Sequence, residues 1–296
     1  MKKIAFLAFL AMVLAGCNPS GKKDTVSAEQ SFTSYTLTEV WHTDTVLLTC
    51  ESVLFDQTRE LLFVSCMNGS AGEKDGDGYI SLLGPDGSVK SLRWVTGLND
   101  PKGMGIIGNL LYVADLDELV IIDIEMAEVS ERIPVEGASF LNDVAVSEDG
   151  KVYFSDSDKG ILWIYSNGEL MQWVAEGLQR PNGLYVEPDR VLLTSSGSQD
   201  LRVIDRSTGE YEIVTTGIGA GDGVEFTGME GYYITSSWAG EVFLIRPDYS
   251  KVSLLKTSDR EINSADIGFN ERDQVLYVPT FFDNRVVAYR LEVSNI

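Results

Sequence analysis

Certain positions recur at a regular spacing along this 296-residue chain, and four of them carry side chains whose oxygens could bind a cation. The pattern occupies six places: Glu51, Lys102, Asn142, Asn182, Asp222 and Ala265. The middle four lie 40 residues apart. If the six places meet in the fold, two carboxylates and two amide oxygens converge. This donor set suits a hard divalent cation, Ca²⁺ above all, with Mg²⁺ or Mn²⁺ also accommodated.

The elements that would bring these places together form a repeat. Four glycines mark successive units at 40-residue intervals: Gly97, Gly137, Gly177 and Gly217. Each unit contains four short β-rich runs separated by polar turns, which is the pattern of a propeller blade. Six units can be counted, but the last has little chain left for a fourth strand. The sequence therefore predicts an all-β, six-bladed β-propeller with four antiparallel strands per blade, closed by an N-terminal strand over residues 34–41.

The innermost strands of a propeller line a central channel, so equivalent positions at their starts share one mouth. The predicted metal ligands at this mouth are Glu51, Asn142, Asn182 and Asp222. Another interpretation is that these polar groups only cap the inner strands and bond backbone across the channel. The cationic Lys102 favours that interpretation, because it could compensate buried carboxylates without a metal.

Other residues are expected at the same end of the channel, where the second strands finish. Asp115 and Asp156 are predicted to contact a small-molecule substrate, or else to satisfy backbone groups between blades. Trp238 and Phe281 fall in loops above the mouth. They are predicted to line an apolar rim for the substrate, with packing between blades as the alternative.

Four segments together resemble the motifs of a known family: Cys50-Glu51-Ser52-Val53, Leu141-Asn142-Asp143, Pro181-Asn182-Gly183-Leu184 and Gly221-Asp222-Gly223-Val224. The family is that of senescence-marker protein, gluconolactonase and regucalcin, six-bladed propellers with paraoxonases and diisopropylfluorophosphatase as more distant relatives. The resemblance covers about residues 34–293. It implies that Glu51, Asn182 and Asp222 bind a catalytic divalent cation. It also implies that Asn142 reaches the cation or the substrate, and that Asp222 serves as general base.

The expected reaction is hydrolysis of a lactone or related ester, but three features depart from the family pattern. Phe140 stands where sugar-lactonase members resemble one another in having Arg. His42 is the one histidine, so a paraoxonase-type histidine pair cannot form. Lys102 at the mouth is not a family feature; it is predicted to bind the substrate by orienting a carboxylate, or else to oppose the metal by repulsion. The alternative function is a non-catalytic propeller that binds a small ligand or a protein partner, with Lys102 neutralising Glu51 and Asp222.

The first residues predict an export signal. Lys2 and Lys3 precede an apolar run over residues 4–14, which is too short to span a bilayer. The run ends in Leu14-Ala15-Gly16-Cys17, which resembles a bacterial lipobox, so lipidation of Cys17 is expected. This predicts a signal peptide at 1–16, a tether at 17–33 and the propeller at 34–296. The protein would then be lipid-anchored in the bacterial cell envelope, with its oligomeric state left open.

The charge of the chain bears on its binding partners, and its cysteines bear on whether a disulfide forms. The chain has 45 acidic and 23 basic side chains, a net charge of −22, and no basic cluster, which argues against nucleic-acid binding. Cys50 and Cys66 are predicted on neighbouring strands of one hairpin. In the cell envelope they could form a disulfide or remain as two buried thiols.

Overall fold

The computed structural model describes residues 33–295, which form six four-stranded antiparallel sheets. The innermost strand of each sheet packs against those of the two neighbouring sheets, and the sixth packs against the first. The sheets are therefore the blades of a closed ring. The predicted six-bladed β-propeller is confirmed. Outside its strands, the described part of the chain has one short 3₁₀-helix, Ser258–Arg260.

In five blades the four strands follow one another in the chain from the channel outwards. Blade 1 contains β2 (Cys50–Asp56), β3 (Leu61–Cys66), β4 (Gly78–Leu83) and β5 (Val89–Leu98). Blade 2 contains β6 (Pro101–Ile107), β7 (Leu110–Asp115), β8 (Glu118–Asp123) and β9 (Glu128–Pro134). Blade 3 contains β10 (Leu141–Val146), β11 (Val152–Asp156), β12 (Ile161–Ser166) and β13 (Glu169–Val174). Blade 4 contains β14 (Pro181–Val186), β15 (Arg190–Ser195), β16 (Asp200–Asp205) and β17 (Tyr211–Thr216). Blade 5 contains β18 (Gly221–Phe226), β19 (Tyr233–Ser237), β20 (Glu241–Ile245) and β21 (Lys251–Lys256).

Blade 6 is built from both ends of the described chain. It contains β22 (Gly268–Asn270), β23 (Val275–Pro279), β24 (Val286–Asn295) and, outermost, β1 (Thr33–His42). β1 pairs antiparallel with β24 along its length, with a register shift between Glu39 and Trp41. The predicted N-terminal closing strand is therefore confirmed. Pairing the two ends of the chain in one blade leaves no gap through which the ring could open.

The core lies between adjacent blades rather than in one central mass. Alternating residues of the middle strands face a neighbouring sheet, as Val113 and Val120 of blade 2 do where they pack with Phe63 and Ile80 of blade 1. Outer strands such as β9 are largely exposed on both faces. Because the apolar faces hold the blades together, the innermost strands are free to carry polar side chains into the channel.

A register shift near the start of each of the first five inner strands shapes the channel. In β10, for example, the regular pairing with β11 is interrupted between Leu141 and Val144. Backbone N–H groups within these bulges donate instead to serine hydroxyls of the second strand. The three such bonds are Ser52 N–H to Ser65, Asp143 N–H to Ser155 and Gly223 N–H to Ser236, at 2.9–3.0 Å. The bulges separate the predicted mouth residues from regular pairing.

Two glycines beside mouth residues are required by close approach of the next blade. A Cβ on Gly183 would lie 2.0 Å from the Asp222 backbone oxygen, and one on Gly223 would lie 2.4 Å from Asp266 Oδ1. Neither glycine has a positive φ. Their role is therefore to let neighbouring inner strands pack closely, which differs from the turn-forming role that Asn-Gly and Asp-Gly pairs often have.

The two cysteines of blade 1 sit opposite each other on β2 and β3, as predicted, and both are free and buried. Burial raises the pKa of Cys50 to about 12. The predicted signal peptide, the predicted lipidation site Cys17 and nearly all of the predicted tether lie outside the described residues. Within residues 33–295, no helix has the length and apolarity needed to cross a membrane.

Candidate functional site

The structure brings the predicted mouth residues together at one end of the channel. The five polar ones are at most 7% exposed, and they are Glu51, Lys102, Asn142, Asn182 and Asp222. Glu51 interacts electrostatically with both Asp222 and Lys102, and the neighbouring Asn182 side chain lowers the pKa of Asp222. Residues from five different blades therefore form one buried polar cluster, termed the mouth cluster below.

Three oxygens of the mouth cluster are buried and have no hydrogen-bond partner among residues 33–295. They are Glu51 Oε2, Asn182 Oδ1 and Asp222 Oδ1. A buried carboxylate or amide oxygen without a donor is costly, so native proteins rarely leave one unsatisfied. Three such oxygens, contributed by blades 1, 4 and 5, fit a site for a cation.

The carboxylates of the mouth cluster repel each other in the absence of a cation. Burial, followed by repulsion from Asp222, raises the pKa of Glu51 well above its usual range. Burial and the Asp143 carboxylate raise the pKa of Asp222 to about 8, against the opposing effects of Asn182 and Lys102. With both carboxyl groups ionised, the site would have more negative charge than its own residues neutralise, and the raised pKa values reflect this.

Lys102 contributes less neutralisation than the sequence suggests. Its Nζ lies 2.5 Å from Asp100 Oδ2, 3.2 Å from the Asp100 backbone oxygen and 4.4 Å from the centre of the Phe140 ring. Within residues 33–295 it forms no ion pair with Glu51 or Asp222. Phe140, the residue that departs from the family pattern, is therefore the surface against which the ammonium group packs.

Asn142 is held in place by its neighbours in the ring. Its Nδ2 donates to Ser157 Oγ at 3.0 Å, and that hydroxyl donates to the Pro181 backbone oxygen at 2.6 Å. The amide oxygen accepts no hydrogen bond from the described residues. The bonded Nδ2 therefore fixes the orientation of the side chain while the oxygen stays available to a ligand.

Asp115 and Asp156 are fully buried, and backbone groups occupy their carboxylates. Asp115 accepts hydrogen bonds from the N–H groups of Asn99 and Asp100, at 2.6–3.1 Å. Asp156 accepts from the N–H groups of Ser139 and Lys159, both at 3.1 Å. These contacts favour the second of the two roles that the sequence leaves open, which is to satisfy backbone groups between blades.

We expect Asp115→Ala to lower the free energy of unfolding by about 2–4 kcal/mol, because two buried N–H groups lose their acceptor. Asp158→Ala, which removes an exposed carboxylate paired with Arg180, serves as the control and should cost less than about 1 kcal/mol. Urea denaturation measures both values. An Asp115 variant of unchanged stability would contradict this structural role.

An aromatic cluster borders the mouth cluster. Trp238 and Phe282 are 40% and 63% exposed, whereas Phe281 is buried against Met67 and Ala265, the sixth mouth position. The three rings meet edge to face at 4.7–6.1 Å. An exposed aromatic surface next to a buried polar cluster suits a ligand with an apolar part.

Two carboxylates near the mouth cluster were not predicted as site residues. Asp143 accepts from the Leu184 and Val144 N–H groups, and Asp266 accepts from Ser52 Oγ at 2.5 Å. Each directly follows a mouth position in the chain. That spacing is the signal that could have identified them, and for Asp143 the bulge in β10 allows consecutive residues to face the channel.

The cation-binding interpretation relies on amide oxygens as well as carboxylates. Among residues 33–295, no group of three or more His, Cys, Asp or Glu side chains is arranged to hold a metal ion. His42 is exposed on the outermost strand of blade 6 and pairs with Glu39 at 2.8 Å. A metal at the mouth cluster would therefore need Asn142 or Asn182 in addition to Glu51 and Asp222.

Comparison with known proteins finds similarity in structure only. No family model and no curated protein matches the sequence. A streptogramin B lyase structure aligns with a TM-score of 0.63 at 11% identity, covering 88% of this chain and 98% of that one. A catalytically inactive His-to-Ala variant of virginiamycin B lyase from Staphylococcus aureus, solved with quinupristin, aligns at 0.61 and 10%, covering 88% and 100%.

A chain of a nidogen–laminin complex aligns with a TM-score of 0.62 at 12% identity, covering 75% of this chain and 85% of that one. The three structures include two lyases and a nidogen–laminin complex, so they agree on architecture rather than on activity. They do not single out the gluconolactonase-like family. At these identities the likeness shows the fold alone, and the chain is a six-bladed β-propeller.

Proposed function

We propose that the protein binds a divalent cation, Ca²⁺ in the first instance, at the mouth cluster and hydrolyses a lactone or related ester there. The observation that carries the proposal is the set of three unpartnered, buried oxygens on Glu51, Asn182 and Asp222. A hard cation would satisfy all three oxygens at once and would neutralise the two carboxylates. When bound, it would polarise a substrate carbonyl and favour ionisation of water.

The protein's own residues would supply the remaining steps. Asp222, with a pKa raised to about 8 in the absence of a cation, is the candidate general base for an attacking water. Asn142, whose Nδ2 is held by Ser157, would orient the substrate or complete the ligand set. The buried position of both residues would keep bulk water away from the reacting bond.

The surroundings of the mouth cluster indicate which ester would fit. Trp238 and Phe282 offer an exposed apolar surface beside the polar site, whereas the Lys102 ammonium is buried and paired with Asp100. A substrate with an apolar acyl or ring portion would contact both the aromatic cluster and the polar site. The streptogramin B lyase neighbour supports the idea that this fold can carry an enzyme.

A second candidate function is a non-catalytic propeller that binds a small anionic ligand. It is favoured by the buried Lys102 ammonium, which an enzyme using a cation at the same place would have to tolerate. In this case the ligand would bind Lys102, and the mouth carboxyls would stay protonated. The two candidates differ in whether a metal binds at all.

Calorimetric titration of Ca²⁺ into the chelator-treated protein tests the proposal. We expect one equivalent to bind, and Glu51→Gln to weaken binding about tenfold or more because a charged ligand is lost. Replacement of the exposed Glu230 by Gln removes the same charge away from the channel and should leave binding unchanged. If the unaltered protein binds no divalent cation, the hydrolase proposal fails and the second candidate is preferred.

A further inference from the structure

A large cavity in the described part of the chain lies along the channel, from Asp143 and Asp266 beside the mouth cluster to the far ends of the inner strands. Its volume is about 620 Å³, which is within the range of small-molecule sites. It is lined by the second halves of the inner strands and by the turn after β2. We call it the distal cavity. No residue of the mouth cluster lines it.

The walls of the distal cavity are mostly apolar. They come from all six inner strands or from residues just before them, and the residues include Phe55, Ile106, Val146, Leu184, Val186 and Ile267. Because every blade contributes, the cavity is a preformed part of the ring rather than a surface groove. Such walls favour the body of an organic ligand over a hydrated inorganic ion.

The charged groups facing the distal cavity are nearly all acidic. They are Asp56, Arg59, Asp143, Glu148, Glu225 and Asp266. Arg59 is paired with Asp56 at 2.6 Å, so these two charges neutralise each other. Asp143 is likewise satisfied, because each of its oxygens accepts a backbone N–H group.

Two carboxyl groups in the cavity have oxygens that lack a hydrogen-bond donor or ion-pair partner among the described residues. Glu225 has no hydrogen-bond donor or ion-pair partner among residues 33–295. Asp266 is only 8% exposed, and one of its oxygens accepts from Ser52 while the other has no donor. A partly or fully dehydrated carboxyl group beside apolar walls calls for a cation that can donate hydrogen bonds.

From these contacts we propose that the distal cavity binds an organic cation, an ammonium group carried on an apolar body, with Glu225 and Asp266 as its hydrogen-bond acceptors. A bare metal ion fits less well, because the described residues contain no arrangement of three His, Cys, Asp or Glu ligands. The aromatic rings of Phe55 and Tyr185, which also line the cavity, add surfaces that attract cations.

Calorimetric titration of phenethylammonium into the protein tests the proposal, with uncharged 2-phenylethanol as the matched probe. We expect one equivalent of the amine to bind, and the alcohol to bind about tenfold more weakly or not at all. Absence of amine binding up to about 10 mM would overturn the proposal. Equal binding of amine and alcohol would also overturn it, because the carboxyl groups would then contribute nothing.

Variants locate the binding site and separate it from general attraction by the negative protein. Glu225→Gln should weaken amine binding about tenfold, whereas Glu148→Gln, at an exposed position of the cavity, should change it by less than about twofold. Val186→Trp, which fills the cavity without changing charge, should also weaken binding about tenfold. Equal effects of the two Gln variants would indicate long-range attraction alone and would contradict the proposal.

The result of the amine titration does not depend on the function proposed for the mouth cluster. Glu225→Gln should keep full Ca²⁺ binding, because Glu225 is not among the proposed metal ligands. If amine binding is lost while Ca²⁺ binding is retained, two separate sites are present. If Ca²⁺ instead displaces the amine with matching stoichiometry in the unaltered protein, both probes share one site and the distal assignment is wrong.

Discussion

Asp222→Asn should lower kcat/KM for lactone or ester hydrolysis by about 10²–10⁴-fold, the range expected when a general base is lost. Asn has nearly the size of Asp and keeps an oxygen near Asn182, but it cannot accept a proton from water. The substitution also removes one of the two carboxylates that would hold the cation, so the loss should lie at the upper end of that range. A panel of lactones and aryl esters, with Ca²⁺ present, provides the measurement.

Asp158→Asn is the matched control, because this carboxylate is exposed and paired with Arg180. It should hydrolyse the same substrates at an unchanged rate. An Asp222→Asn protein that keeps its activity would rule out Asp222 as general base. If the variant binds Ca²⁺ normally but is inactive, Asp222 acts on the proton alone and the cation is held by the other ligands.

The second large effect is the change in the free energy of unfolding with pH. In the cation-free protein the pKa of Asp222 is raised to about 8, so the folded state keeps a proton that the unfolded chain releases above about pH 4. The free energy of unfolding should therefore fall as pH rises from 5 to 8, by about 1.4 kcal/mol per pH unit for each such proton. Glu51 and Asp266 have raised pKa values for the same reasons, so their contributions have the same sign.

Melting temperatures in EDTA and in Ca²⁺ at several pH values test this expectation. Because a bound cation replaces the protons, the difference between the two conditions should be largest near pH 8. At a Ca²⁺ concentration 100 times Kd it should reach about 2.7 kcal/mol, or roughly 5–10 °C. Asp222→Asn should reduce the slope in EDTA. A melting temperature in EDTA that rises from pH 5 to 8 would contradict the charge balance described for the mouth cluster.

The architecture was largely predictable because the same sequence pattern recurs at a constant spacing. The glycines at 97, 137, 177 and 217 set the register, and the short last unit indicated that an N-terminal strand closes the ring. The strand observed, Thr33–His42, extends one residue beyond the prediction at each end. Equivalent places in a closed ring must meet, so the same register located the mouth cluster.

The partners of individual side chains were less predictable, since they depend on contacts between blades. Lys102 pairs with Asp100, which lies two residues earlier and just before β6 begins. Gly183 follows Asn182 because the backbone of Asp222 passes too close for a Cβ. The distal cavity has no local signal at all, because every inner strand contributes only one or a few of its residues.

The closing strand also sets the order in which the molecule can be completed during synthesis. β1 is among the first parts of the propeller to be made, yet its partner β24 follows about 250 residues later. At about 5–20 residues per second, β1 waits roughly 10–50 s for that partner. Its three threonines and the charged Glu39 help to keep it from pairing with other chains meanwhile. Ring closure is thus a late event in biosynthesis, and a ribosome that stops before residue 286 releases a chain whose first strand has nothing to pair with.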